Sequence, residues 1–146
     1  EPHGFNIGGA RQPPGCTNSQ HSHDTEEVFF VHTGTWSFNL GEDGTDAKIT
    51  LRPGDHISIP TKVFRGFENI GDDYGMIMAI LGGDDAGGGV VWAPQVIEDA
   101  RDHGLVLGEN GKLYDSKKGQ SLPAGVKPMP LLTEAQLKDY PEISFD

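Results

Sequence analysis

The chain lacks several features that would each point to a particular class of protein. It has one cysteine, Cys16, in 146 residues, so it cannot form an internal disulfide. It has no apolar run long enough for a transmembrane helix, and its first residues lack the basic start and apolar centre of a signal peptide. We therefore expect a cytoplasmic protein that binds no membrane. Because the chain begins at Glu1 rather than Met, we also expect the natural protein to start upstream.

Basic residues are scarce as well. Eleven Lys and Arg stand against 22 Asp and Glu, which gives a formal net charge of −11. Such a surface repels phosphate backbones, and no local basic run offsets it, so we expect no nucleic-acid partner.

Glycine and proline, in contrast, are abundant and spread along the chain, with 21 and 10 residues. They punctuate short apolar stretches and indicate many turns between strands. The pattern predicts strands at residues 4–12, 19–31, 35–40, 47–51, 56–60, 63–69 and 74–81. Strands at this spacing are typical of an all-β sandwich or barrel, which we assign to residues 1–90.

The character of the sequence changes after a glycine-rich loop at residues 82–89. Pro94 suits a helix N-terminus, and the pattern predicts a helix over 94–104. Residues 105–130 look irregular, and Thr133 with Gln136 forms a capping-box pattern that opens a second, short helix. We interpret residues 91–146 as a C-terminal helical and irregular extension, packed on the barrel or on a partner subunit.

Three potential metal ligands lie close together in the predicted strand at 19–31. His21, His23 and Glu27 share odd parity, and side chains of like parity point to the same face of a strand. Two imidazoles and a carboxylate are a ligand set that suits first-row transition metals. Glu26 and His32 have the opposite parity and are assigned no role.

The spacing of these residues is part of a longer pattern. Gly15-x5-His21-x-His23-x3-Glu27-x6-Gly34 resembles the first conserved motif of the cupin superfamily without a gap.

A second stretch resembles the second cupin motif in part. Gly54, Pro60 and Asn69 fall in register, but Lys62 stands where glycine is usual and Arg65 where the last histidine is expected. The resemblance implies a small double-stranded, jelly-roll-like β-barrel with a pocket at one mouth. It also implies a homodimer and a divalent metal, Fe, Mn, Ni, Zn or Cu, held by His21, His23 and Glu27.

Arg65 leaves the site open to three interpretations, because a guanidinium offers no lone pair to a metal. First, the three remaining ligands hold a metal with open positions, and Arg65 binds an anionic substrate. Second, Arg65 pairs with Glu27 and blocks the metal, which leaves a pocket for a small polar or anionic ligand. Third, another histidine supplies the fourth ligand; His56 is the nearest candidate, and its strand parity allows it to face the pocket or the outside.

The first interpretation favours a metal-dependent enzyme, an Fe(II)-type dioxygenase acting on a small organic acid or phenolic compound. Glu27 and Arg65 are then its catalytic residues. The alternatives are a non-catalytic small-molecule binding or sensor protein that uses Arg65, and a metal-free isomerase or epimerase with His21 or His23 as base. The fold alone cannot choose among them.

Overall fold

The computed structural model describes residues 1–85 and 89–145, which form two compact units. Unit 1 comprises Glu1–Val91 together with Tyr140–Asp146, and unit 2 comprises Trp92–Asp139. Part of the predicted glycine-rich loop, residues 86–88, lies outside the described residues. No helix among the described residues has the length and apolar character needed to cross a membrane.

Unit 1 is built from two antiparallel sheets, as the turn spacing predicted. The first sheet has the strand order β1-β8-β3-β6 and the second has the order β5-β4-β7-β2-β9. The strands are β1 (Phe5–Gln12), β2 (Thr17–Ser22), β3 (Glu27–Thr33), β4 (Trp36–Leu40), β5 (Ala47–Leu51), β6 (His56–Ile59), β7 (Arg65–Asn69), β8 (Gly75–Gly82) and β9 (Val91–Trp92), whose second residue is the first residue of unit 2. The prediction of an all-β, double-stranded barrel with a C-terminal helical extension is confirmed.

Alternation along the strands places one apolar set in the interior of unit 1. In β4, Trp36 and Phe38 are fully buried, whereas Ser37 and Asn39 between them are only half-buried. The buried core residues are Phe29, Val31, Trp36, Phe38, Leu40, Leu51, Ile59, Val63, Phe67 and Ile77. Ile143, from the C-terminal segment of the unit, packs against this core.

Two residues of the sequence motifs, Gly34 and Asn69, have structural roles in this packing. Gly34 has φ +88°, and a Cβ there would lie 2.8 Å from the Cα of Gly75, so only glycine fits this turn. Asn69 is fully buried; its Nδ2 donates to the carbonyls of Gln12 and Asp73, and its Oδ1 accepts from the amide of Gly71, each at 2.9 Å. Asn69 thereby ties the end of β1 to the turn between β7 and β8.

Unit 2 contains α1 (Pro94–Asp102), the hairpin β10 (Leu105–Leu107) and β11 (Leu113–Asp115), a 3₁₀ turn (Ser116–Lys118) and α2 (Glu134–Leu137). Helix α1 begins at a proline, and Thr133 and Gln136 form the predicted capping box of α2. The prediction of a wholly irregular stretch at 105–130 is wrong. Each strand of the hairpin has only three residues, too few for alternation to show in the sequence.

Candidate metal centre

The potential metal ligands meet inside unit 1. His21, His23 and Glu27 are 7%, 6% and 3% exposed, and one ligand atom from each lies within 4.8 Å of the others. The two imidazole rings are nearly perpendicular, with centroids 5.0 Å apart. His23 Nε2 lies 3.9 Å from Glu27 Oε2. Within residues 1–85 and 89–145, this is the one group of three or more His, Cys, Asp or Glu side chains so arranged.

The chain brings these residues together by crossing between sheets. Strand β2 ends at Ser22, β3 begins at Glu27, and residues 23–26 form a bend between them. His21 therefore belongs to the five-stranded sheet and Glu27 to the four-stranded sheet. The prediction of one continuous strand over 19–31 is wrong, since the polar residues Asp24 and Thr25 lie in the bend. Shared parity on one strand is thus not the reason that the three side chains converge.

His21 is held in the form that a metal ligand requires. Its Nδ1 lies 2.8 Å from the carbonyl oxygen of Ser19, which can only accept, so Nδ1 carries the proton and Nε2 keeps its lone pair. Burial lowers the pKa of His21; the bond to Ser19 opposes this effect, and the charge of Arg65 adds to it. The neutral imidazole, which is the metal-binding form, is favoured.

Glu27 is a buried carboxylate with an unsatisfied oxygen. Burial raises its pKa to about 7, although the positive charge of Arg65 acts in the opposite direction. Its Oε2 is buried and accepts no hydrogen bond. An oxygen of this kind beside two imidazole nitrogens is what a bound cation would satisfy. The donor set therefore fits a divalent transition metal, as the sequence predicted.

Arg65 lies beside this cluster and is fully buried. It opens β7, directly opposite His21 in the β2–β7 pairing, and its Nε is 3.5 Å from Glu27 Oε2. Its Nη2 donates to the carbonyl of Pro60 at 3.2 Å, whereas Nε and Nη1 make no hydrogen bond. Burial lowers the pKa of Arg65 and Glu27 partly restores it. The site thus combines three metal ligands with one incompletely satisfied cation.

His56 lies elsewhere, so the third interpretation of the sequence needs correction. In the β3–β6 pairing, Ile59 is opposite Glu27, and His56 is opposite Phe30. His56 is exposed, and its ring stacks on that of Phe30, with centroids 5.5 Å apart. It is absent from the ligand cluster that the described residues form, because its position in β6 has the outward parity. Glu26 and His32 are exposed as well.

Lys62 has a structural role that residue type alone did not reveal. It has φ +66°, and it is the one non-glycine residue in the described part of the chain with positive φ. Its amide donates to the carbonyl of His23 at 2.7 Å. The departure from glycine at this motif position therefore preserves a left-handed backbone that holds the bend before Glu27. The usual presence of glycine at this motif position was the sequence signal that could have predicted the left-handed backbone of Lys62.

Comparison with known proteins places this site in a family context. The sequence model of the family described as "Cupin domain" matches residues 10–81, which include every residue of the cluster and Arg65. A search of curated protein sequences finds no significant match.

Among solved structures, the chain is similar to a DMSP lyase from Ruegeria pomeroyi DSS-3, with 21% identity and a TM-score of 0.51 over 61% of this chain and 43% of the lyase. It is also similar to a recombinant oxalate oxidase in complex with glycolate, with 19% identity and a TM-score of 0.55 over 64% of this chain and 48% of the oxidase. A conserved protein with a double-stranded beta-helix domain from Klebsiella pneumoniae matches with 18% identity and a TM-score of 0.54, over 61% of this chain and 74% of that protein. These likenesses show the fold. The chain spans less than half of the lyase and of the oxidase.

Proposed function

The chain belongs to the cupin superfamily, and from its site we propose that it is a metal-dependent enzyme of the Fe(II) dioxygenase type, acting on a small organic acid. One observation carries the proposal: the ligand atoms of His21, His23 and Glu27 lie buried within 4.8 Å of one another. Two histidines and one carboxylate leave coordination positions open, as non-haem iron oxygenases require.

The chain's own residues have separate roles in this proposal. His21 and His23 offer imidazole nitrogens, and Glu27 adds a negative charge that offsets part of the charge of a cation. Arg65 orients the acidic end of the substrate through its unsatisfied Nη1. A bound Fe(II) ion would supply redox chemistry with O₂ and a Lewis-acid centre. The buried side chains around the cluster limit the access of water, which strengthens each of these electrostatic interactions.

The substrate class rests on two lines of support. Arg65 places a positive charge beside the cluster, and a carboxylate is the small group that a guanidinium binds best in two-pronged geometry. In addition, a similar structure, the oxalate oxidase, was solved in complex with glycolate. At 19% identity that likeness shows only the fold, so the small carboxylic acid is part of our proposal.

Metal analysis after anaerobic reconstitution tests the proposal. The protein is incubated with Fe(II), Mn(II), Ni(II) or Zn(II), desalted and analysed for bound metal. We expect close to one equivalent in the wild type and a large loss in His21→Ala and Glu27→Gln. The matched controls are His56→Ala and Glu26→Gln, which change exposed residues of the same types outside the cluster. Less than roughly a tenth of an equivalent of every metal in the wild type would refute metal dependence.

The geometry also favours a second candidate, a metal-free protein that binds a small anion. Arg65 Nε is closer to Glu27 Oε2 (3.5 Å) than His23 Nε2 is (3.9 Å), so Glu27 already has an ionic partner. In this case Arg65→Ala abolishes ligand binding, while His21→Ala binds normally. A metal-dependent site gives the opposite result for His21→Ala.

A further inference from the structure

We propose that this site binds its metal ion and a small carboxylate as a pair, each increasing the affinity for the other. The inference rests on the proposed function and adds to it that Arg65 makes the anion a co-ligand for metal binding itself, before any reaction.

The first argument is the balance of buried charge. Without a metal, the negative charge of Glu27 and the positive charge of Arg65 cancel across 3.5 Å. A divalent ion bound to His21, His23 and Glu27 then leaves two positive charges uncompensated among buried side chains. Desolvated charge without a counter-charge is strongly unfavourable. One carboxylate removes half of that excess.

The second argument is the hydrogen-bonding state of Arg65. Its side chain is fully buried, yet only Nη2 has a hydrogen-bond acceptor, the carbonyl of Pro60. Neither Nε nor Nη1 makes a hydrogen bond. A buried guanidinium with unsatisfied N–H groups has a strong requirement for an acceptor, and a carboxylate matches its fork.

The third argument is that Glu27 has two competing partners. Its Oε2 lies 3.5 Å from Arg65 Nε and is also the oxygen that makes no hydrogen bond. A cation bound at Glu27 competes with Arg65 for this carboxylate. A second carboxylate beside Arg65 replaces the interaction that Arg65 loses. Because binding linkage is reciprocal, the metal must tighten the carboxylate by the same factor.

The test measures Mn(II) binding by the wild type through the electron paramagnetic resonance signal of free Mn(II). Titrations are run alone, with saturating glycolate, and with glycolamide, a neutral molecule of nearly the same size. We expect glycolate to tighten Mn(II) about tenfold or more and glycolamide to have less than about a twofold effect. This comparison requires no variant, so it does not depend on the stability of a mutant protein.

Arg65→Met then assigns the coupling to the guanidinium. Methionine keeps much of the buried apolar stem and removes the charge. We expect tighter Mn(II) binding without glycolate and loss of the glycolate effect. Arg52→Met is the matched control, because Arg52 is exposed; it should retain the coupling of the wild type.

The outcomes separate this inference from the proposed function. Equal Mn(II) affinity with and without glycolate overturns the coupling and leaves the metal site in place. Failure of both Mn(II) and anaerobic Fe(II) to bind under any condition overturns the proposed function and the coupling together. Tight glycolate binding without metal, unchanged when metal is added, overturns the coupling and supports the metal-free candidate.

Discussion

Glu27→Gln measures which of two opposing effects dominates at the centre of the site. Burial disfavours the charged carboxylate, and the neighbouring Arg65 favours it. Burial is the larger effect, and it raises the pKa of Glu27 from 4.5 to about 7. Glutamine resembles the protonated acid and cannot ionise. The variant is therefore a fixed reference for the neutral form of Glu27 in the metal-free protein.

The sign and size of the effect follow from linkage. Between about pH 4.5 and about pH 7 the folded state holds a proton on Glu27 that the unfolded state has lost, so stability falls as pH rises through this window. A pKa difference of about 2.5 units, at about 1.36 kcal/mol per unit, corresponds to roughly 3 kcal/mol. The wild type should match Glu27→Gln below the window. Above it, the wild type should be less stable than the variant by roughly 3 kcal/mol.

Urea unfolding of both proteins in the presence of a chelator, from pH 4 to pH 8, gives this difference directly. Ionisations far from the site affect both proteins equally and cancel. Glu26→Gln controls for the loss of a carboxylate, because its side chain is exposed next to Glu27 in the sequence. A difference that stays constant with pH would refute the dominance of burial. If the wild type instead gained stability relative to Glu27→Gln as pH rises, Arg65 would be holding the pKa of Glu27 below its usual value.

Three further predictions concern the residues around the site. Arg65→His should increase the affinity for Mn(II) about tenfold or more, measured by equilibrium dialysis, because it replaces a cation with an imidazole as a fourth ligand. Unchanged affinity would mean that residue 65 does not act on the metal. Asn69→Ala should cost about 3 kcal/mol in chemical denaturation, since it removes a fully buried side chain and breaks its three part-buried hydrogen bonds to the backbone. Asn39→Ala, with a single side-chain contact to Ser37, should cost under about 1 kcal/mol. Equal losses in the two variants would contradict the structural role of Asn69. Lys62→Gly should stabilise the fold by about 0.5 kcal/mol, because the release of strain in the left-handed backbone outweighs the added entropy of the unfolded chain. A lower melting temperature of the variant would argue against strain at this position.

Much of the barrel could be predicted from the sequence because its determinants are local. Strand β5 occupies the predicted residues, and β4, β6, β7 and β8 differ from their predictions by one or two residues at either end. Within β3, Phe29 and Val31 have like parity and both lie in the buried core. Turn residues and period-two patterns act over a few positions, so the amino-acid sequence expresses them directly.

The site could be predicted only in part, because it depends on how strands pair. His21, His23 and Glu27 do come together, but alternation fixes faces only within one strand, and the exchange of sheets at residues 23–26 breaks that rule. Parity left the direction of His56 open, and the register between β3 and β6 decides it. The contact between Arg65 and Glu27 depends on both sheets at once. Spacing along the chain does not determine such a contact, and the motif resemblance offered it only as one of three alternatives.

The division of the ligands between two sheets has a mechanical consequence. His21 belongs to one sheet and Glu27 to the other. A metal ion bound to both side chains would therefore cross-link the two sheets of the barrel. The two sheets could then separate only when the bound metal ion is released. The rate of amide hydrogen exchange in β2 and β3 should therefore report occupancy of the site without any assay of its chemistry.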